Sequence, residues 1–352
     1  MRNQNEEMDA PRSAAMKLLT PLEHLTAKLN DDFDSGIRQR FFRGMDFAGP
    51  AGDPGWFGPG SAVWYVHSHT PALIFGLQCA AFLEGLDPSI YWMGSSHSRL
   101  AERDESGEPT GRIDPEGSRV RLAHSLAFFI GTAYGSTQTA ERLARTVRSM
   151  HHTVKGVRPD GLAYDADDPD WLRWNYATVA WGIATAHELY HARPLADIDQ
   201  YYREFTRVGA ALGGTDLPVT KAETLECLRS YLPRLALTHG MALSTGPNLA
   251  RHVDVPAAAR FVDWAIRDAL PGWAAELVMY RQPRPVQCAL RRAAQWAAIN
   301  ASQAAMGPLR EFRRATARVS CGVAGGRGAH TEPGYVPGSD PVRTREAVER
   351  QL

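Results

Sequence analysis

The stretch that most constrains this chain is Thr137 to Gly156, TQTAERLARTVRSMHHTVKG, whose apolar positions fall at Ala140, Leu143, Ala144, Val147, Met150 and Val154. That 3/4 spacing is the period of an amphipathic helix, one face buried and the other wet. His151 lies inside the stripe, whereas His152 is turned about 100° around the axis, toward Glu141, Arg145 and Arg148. Two adjacent histidines therefore meet different surroundings. An imidazole aimed into an apolar interior is either a hydrogen-bonded core residue or a metal ligand.

The rest of the chain keeps the helical period. Thr20-Pro21 pairs an N-cap with a first-turn proline and opens a first helix. The loop GPAGDPGWFGPGS orders only if Trp56 and Phe57 pack against something. Ser61 to His69 leads into PALIFGLQCAAFLEG, a buried core helix ended by Asp87-Pro88, and Asp104 to Gly117 has the polarity of a surface loop. In RVRLAHSLAFFIGTAY, residues 119–134, the groups Arg121, His124, Ser125 and Phe128 share one face. Three polar groups on an otherwise apolar helix need partners, either a buried hydrogen-bond network or a ligand. The 137–155 helix stops at Gly156 as its C-cap, and a turn at Asp160-Gly161 follows.

Asp168-Pro169 starts a long helix closed by Pro194, and further helices are expected at 196–212, at 221–237 behind a Thr220–Glu223 capping box, and at 256–270, 271–281 and 286–318. There is no sustained period-2 alternation and no repeat. The expected fold is all-α: a flexible N-terminal segment over 1–20, one large helical domain over 21–320, and a Gly/Pro-rich tail over 321–352 without a packable face.

Composition narrows the function. Lys+Arg and Asp+Glu balance at 39 each among 352 residues, so the basic field that nucleic acid would demand is missing. The cysteines Cys79, Cys227, Cys288 and Cys321 form no CxxC pair, which argues for reduced thiols and a cytoplasmic setting, against a zinc ribbon or covalently attached haem. No run of roughly 18 apolar residues predicts a membrane span.

One motif invites zinc: HELYH, His187 to His191, in which two imidazoles one helical turn apart could hold the metal with Glu188 as general base. A third ligand is required. Pro194 breaks the helix within three residues, Asp197 stands at one third-ligand spacing in place of His, and a hydrogen-bonded histidine pair near a helix end is the competing reading.

Read together, Arg121-x-x-His124-Ser125, GSTQTAERLARTVRSMHHTVKG, DGLAYDADDPDWLRW, and YYREFTRVGAALGG followed by LPVT resemble the haem-dependent oxygenase family of the latex-clearing rubber oxygenases and the mycophenolic-acid side-chain oxygenase. The upstream GDPGWFGPGSAVWYVH and SSHSR fit it too, so the resemblance runs from about Gly52 to Thr220. It implies core helices enclosing a haem b, with dioxygen as co-substrate. His151, Val154 and Gly156 match the family's H-x-x-V-x-G element, making His151 the proximal iron ligand. Arg121 and Ser125 match its distal Arg-x-x-x-Thr element, Ser keeping the hydroxyl. His124 stands where latex-clearing enzymes carry Lys, and could either cap the iron or donate to bound dioxygen. Tyr176 replaces the histidine of a Trp-Val-His-Ala-Thr element, offering a hydroxyl or packing. The relatives cleave carbon–carbon double bonds of isoprenoid chains, which here implies a small lipophilic metabolite. A haem protein without oxygenase turnover, peroxidase-like or a sensor, is the alternative that His124 would favour.

Overall fold

The computed structural model describes residues 33–243, 256–281 and 283–321. The helix expected at Thr20-Pro21, the 1–20 segment and nearly all of the 321–352 tail lie outside them. The fold is all-α. Its helices are α1 Ala62–Ser68, α2 Thr70–Glu84, α3 Pro88–His97, α4 Pro115–Tyr134, α5 Thr137–His151, α6 Pro169–Tyr190, α7 Asp199–Ala211, α8 Lys221–Ser230, α9 Pro256–Ala269, α10 Gly272–Leu277, α11 Pro285–Met306 and α12 Arg310–Cys321, with short helical turns besides. Two antiparallel hairpins interrupt them, β1 Ala101–Arg103 with β2 Pro109–Ile113 and β3 Lys155–Val157 with β4 Ala163–Asp165.

Three helix starts share one device. Asp87, Asp114 and Asp168 each accept the N–H two residues on, from Ser89, Glu116 and Asp170, and each is followed by a proline that has no N–H to leave unsatisfied. Asp87-Pro88, expected only to end a helix, thus begins α3. Ser136 and Thr220 cap α5 and α8 through the N–H groups of Thr139 and Glu223.

The core is organised on the crossing of α2 and α6. Both helices are apolar on most sides, and they meet glycine to glycine: a Cβ on Gly182 would lie 2.4 Å from the Gly76 carbonyl oxygen, and one on Gly76 would lie 2.7 Å from Ile183 Cα. Only hydrogen fits there. One apolar cluster, with Trp64, Phe129, Tyr134 and Phe205, fills the side toward α1, α4 and α7; a second, with Phe75, Trp174, Trp181 and Tyr190, fills the side toward α8, α9 and α10.

The ends of the fold are tied by Arg318 of α12, 1% exposed, whose guanidinium donates to the carbonyls of Phe47, Asp53, Tyr134 and Gly135. The Gly/Pro loop beneath it orders as expected: Trp56 is buried, with the Arg207 guanidinium 5.3 Å from its ring. No single helix among the described residues is long and apolar enough to cross a membrane; α2 and α3 pass that test only as a pair bent by 111°.

Several boundaries differ from expectation. The 137–155 helix ends at His151, and Gly156 is no C-cap but a β3 residue whose missing side chain admits the Tyr164 ring: a Cβ there would lie 2.4 Å from the Tyr164 hydroxyl. Met150, counted in the buried stripe, is 53% exposed, because the inward face rotates onto His151. The 104–117 loop contains β2 and the first turn of α4. Helix 221–237 stops at Ser230, and helix 286–318 is two helices parted at Gly307, whose φ of 64° is strained for any residue with a Cβ.

Candidate active site

Helices α4 and α5 form a hairpin about Gly135-Ser136, and this returns the last residue of α5, His151, to the neighbourhood of the polar face of α4. The turn after it is fixed by Val154 N–H donating to His151 O at 2.9 Å and Ala166 N–H donating to Val154 O at 3.0 Å. Val154 packs beside Met93, Tyr164 and Ala166. Tyr164 is held in turn by His97 Nε2 at 3.1 Å. The Val and Gly of the H-x-x-V-x-G element therefore build the turn that presents the histidine.

His151 is 9% exposed, and its ring stands edge-on to Trp171 with 5.2 Å between centroids. Nδ1 is fully buried and has no partner, and neither ring nitrogen makes a hydrogen bond among the described residues; Trp171 Nε1 is likewise orphaned. Burial lowers the pKa of His151 to about 4; Asp167 opposes the shift, and the charges of Arg121 and His152 add to it. The ring is therefore a neutral lone-pair donor at ordinary pH. A buried polar atom without a partner is costly unless something else satisfies it. His152, by contrast, is exposed and pairs with Asp167.

On α4, Arg121 and His124 are exposed and Ser125 is half-buried. No ion pair or hydrogen bond ties Arg121 or Ser125 to other side chains among the described residues, though the Arg121 charge acts on Glu84. His124 packs edge-on against Phe41, centroids 4.6 Å apart, and burial together with the charges of Arg40 and Arg121 lowers its pKa.

Tyr176, left with a hydroxyl or a packing role by the sequence, is committed within the protein. Its hydroxyl donates to the carbonyls of Tyr202 and Pro218, 3.2 Å to each, and its ring stacks on Phe205, so it ties α6 to α7. Two residues not singled out from sequence approach the site instead. Glu84, the last residue of α2, accepts a hydrogen bond from the Asn175 side chain; burial raises its pKa, while the Arg121 charge and that hydrogen bond oppose the rise. Its signal was a lone carboxylate ending an apolar helix. Asn175 also lines a small crevice between α4, α6 and α7, about 20 Å³ and so little more than water-sized, whose walls are otherwise apolar or aromatic, Phe129, Leu172 and Val179 among them. Phe129 is one turn beyond Ser125 on α4, and Asn175 one turn beyond Trp171 on α6.

The zinc constellation is committed elsewhere. His187 Nε2 accepts the N–H of Leu195 and His191 Nδ1 that of Arg193, both at 3.0 Å, while both Glu188 oxygens lie 2.8 Å from Lys221 Nζ. The pair caps a helix end, and no group of three or more metal-ligating side chains with metal-site geometry occurs among the described residues.

Comparison with known proteins gives one match. The family model of the ER-bound oxygenase mpaB/B'/rubber oxygenase catalytic domain covers residues 64–299, more than half of the chain. No curated protein and no solved structure matches.

Proposed function

Since the chain belongs to the mpaB/rubber oxygenase catalytic-domain family, we propose that it is a b-type haem-dependent oxygenase that uses dioxygen to cleave a carbon–carbon double bond of a lipophilic small molecule. Haem, when bound, supplies the iron at which dioxygen is activated. His151 is the residue that would hold that iron. The observation that carries this reading is the ring itself, buried, neutral and without a hydrogen-bond partner among the described residues, at a helix end within the field of Arg121. Imidazole suits iron.

The remaining chemistry belongs to α4. Arg121 would stabilise negative charge developing on oxygen. Ser125 offers a hydroxyl donor to the same oxygen. His124, its pKa lowered and its ring packed on Phe41, would be a neutral imidazole able to donate a single N–H. Cleavage of an alkene by dioxygen into two carbonyl fragments places one oxygen atom in each, so no external reductant is required. The four cysteines are free thiols, in keeping with the cytoplasmic setting we propose.

The test is product analysis under isotopically heavy dioxygen, with the haem-loaded protein and an isoprenoid alkene. The reading expects label in both carbonyl fragments, and Arg121→Ala that keeps haem while turnover is lost. Unlabelled products, or full turnover by Arg121→Ala, would overturn it.

A further inference from the structure

A metal-bound imidazole ordinarily gives its second ring N–H to a carbonyl or carboxylate, which fixes the ring and makes it a stronger donor. The His151 ring has no hydrogen-bond partner among the described residues. The carboxylate whose charge reaches it, Asp167, is bonded to His152 Nδ1 instead. What touches the ring is Trp171, edge-on, with 5.2 Å between centroids and 81° between planes.

The indole is fixed through the residues on both sides of it. Asp168 accepts the Asp170 N–H at 2.8 Å on its side chain and the Leu172 N–H at 2.9 Å on its carbonyl. The Asp170 carboxylate takes the Tyr231 hydroxyl at 2.7 Å and Arg173 Nη2 at 2.8 Å. Trp171 Nε1 is buried without a partner among the described residues, so no hydrogen bond of its own accounts for where the indole lies.

We propose that Trp171 is a positioning residue, its ring bracing the His151 imidazole where other metal sites use a hydrogen-bond acceptor. The inference rests on His151 being the iron ligand. An edge-on aromatic pair is directional but takes no proton, so the braced imidazole keeps its orientation without the added basicity that a carboxylate partner confers. Ring orientation then depends on an aromatic side chain at position 171, and donor strength is indifferent to Asp167.

Resonance Raman spectra of the reduced, haem-loaded, full-length protein test it. The iron–histidine stretch reports ring orientation and donor strength, which a residue serving the core alone would not move. Trp171→Phe, which keeps an aromatic edge and lacks the indole N–H, should retain the band of the unsubstituted protein. Trp171→Leu should broaden or shift it, and release haem to apomyoglobin up to about tenfold faster. Trp171→Met takes its place where the leucine variant does not fold. Asp167→Asn should leave the band where it is. A band unmoved by loss of the aromatic ring, or one shifted in Asp167→Asn, would overturn the proposal and leave His151 as the ligand. Haem bound without an iron–histidine band, or with that band kept in His151→Ala, would remove the His151 reading and this inference with it.

Discussion

His151 and His152 are separated by a single step around the helix, yet one ring is buried without partners and the other is exposed against Asp167. The periodicity of α5 carried that distinction, because helical phase is a local property that spacing alone determines. The fate of Tyr176 was not legible, since its hydroxyl bonds to Tyr202 and Pro218, residues that only the folded chain brings near. Glu84 was hidden for the same reason: nothing close in sequence marks Asn175 and Arg121 as its neighbours. HELYH illustrates the converse, a pattern whose letters fit zinc while its nitrogens accept backbone N–H groups. Glu188→Gln should therefore leave turnover intact and cost no more than a partly exposed ion pair to Lys221, roughly 0 to 1 kcal/mol. Turnover abolished by this substitution, with zinc found by elemental analysis, would favour the peptidase reading.

Helix starts were the most legible elements, since Asp-Pro and Ser/Thr caps act through residues two or three positions apart. The β-hairpins were not, because strands of three to five residues are too short to display a period. The division at Gly307 was missed although Gly307-Pro308 is a stop signal, for the apolar pattern runs on through both helices. The glycine contact of α2 with α6 could not be read from sequence, where Gly76 and Gly182 are two unremarkable glycines inside helices. It makes a sharp prediction. Gly182→Ala should cost roughly 3 kcal/mol, because the new methyl meets backbone that cannot move aside, seen as a lower denaturant midpoint with an unchanged slope. No loss, or the gain of about 0.5 to 1 kcal/mol that an ordinary helical glycine to alanine exchange gives, would show that the helices can separate.

At the scale of the whole molecule, His67, His69, His187 and His191 gather where α1, α2 and the end of α6 meet, with ring centroids of His187 and His191 4.6 Å apart and of His69 and His191 5.4 Å apart. Burial lowers all four pKa values, to about 4 for His67 and His191. A histidine whose folded pKa lies below its unfolded value of 6.5 binds fewer protons when folded, so its contribution is fully present above pH 6.5 and is lost as pH falls toward about 4. Each such ring should remove up to about 1.4 kcal/mol per pH unit in that window, and unfolding followed at about pH 7, 6 and 5 should show a steep decline. A flat profile would mean that the cluster is solvated. The assembly as a whole also makes the site: the α4–α5 hairpin brings Arg121 and His151 into one neighbourhood, and Arg318 ties the far end of that hairpin to α12. The central claim is that His151 is the iron ligand, and the absorption spectra of the purified protein, His151→Ala and His152→Ala test it most directly. The account predicts a haem Soret band, shifted by carbon monoxide after reduction, in the unsubstituted protein and in His152→Ala, and its loss in His151→Ala; equal haem retention in both variants would contradict it.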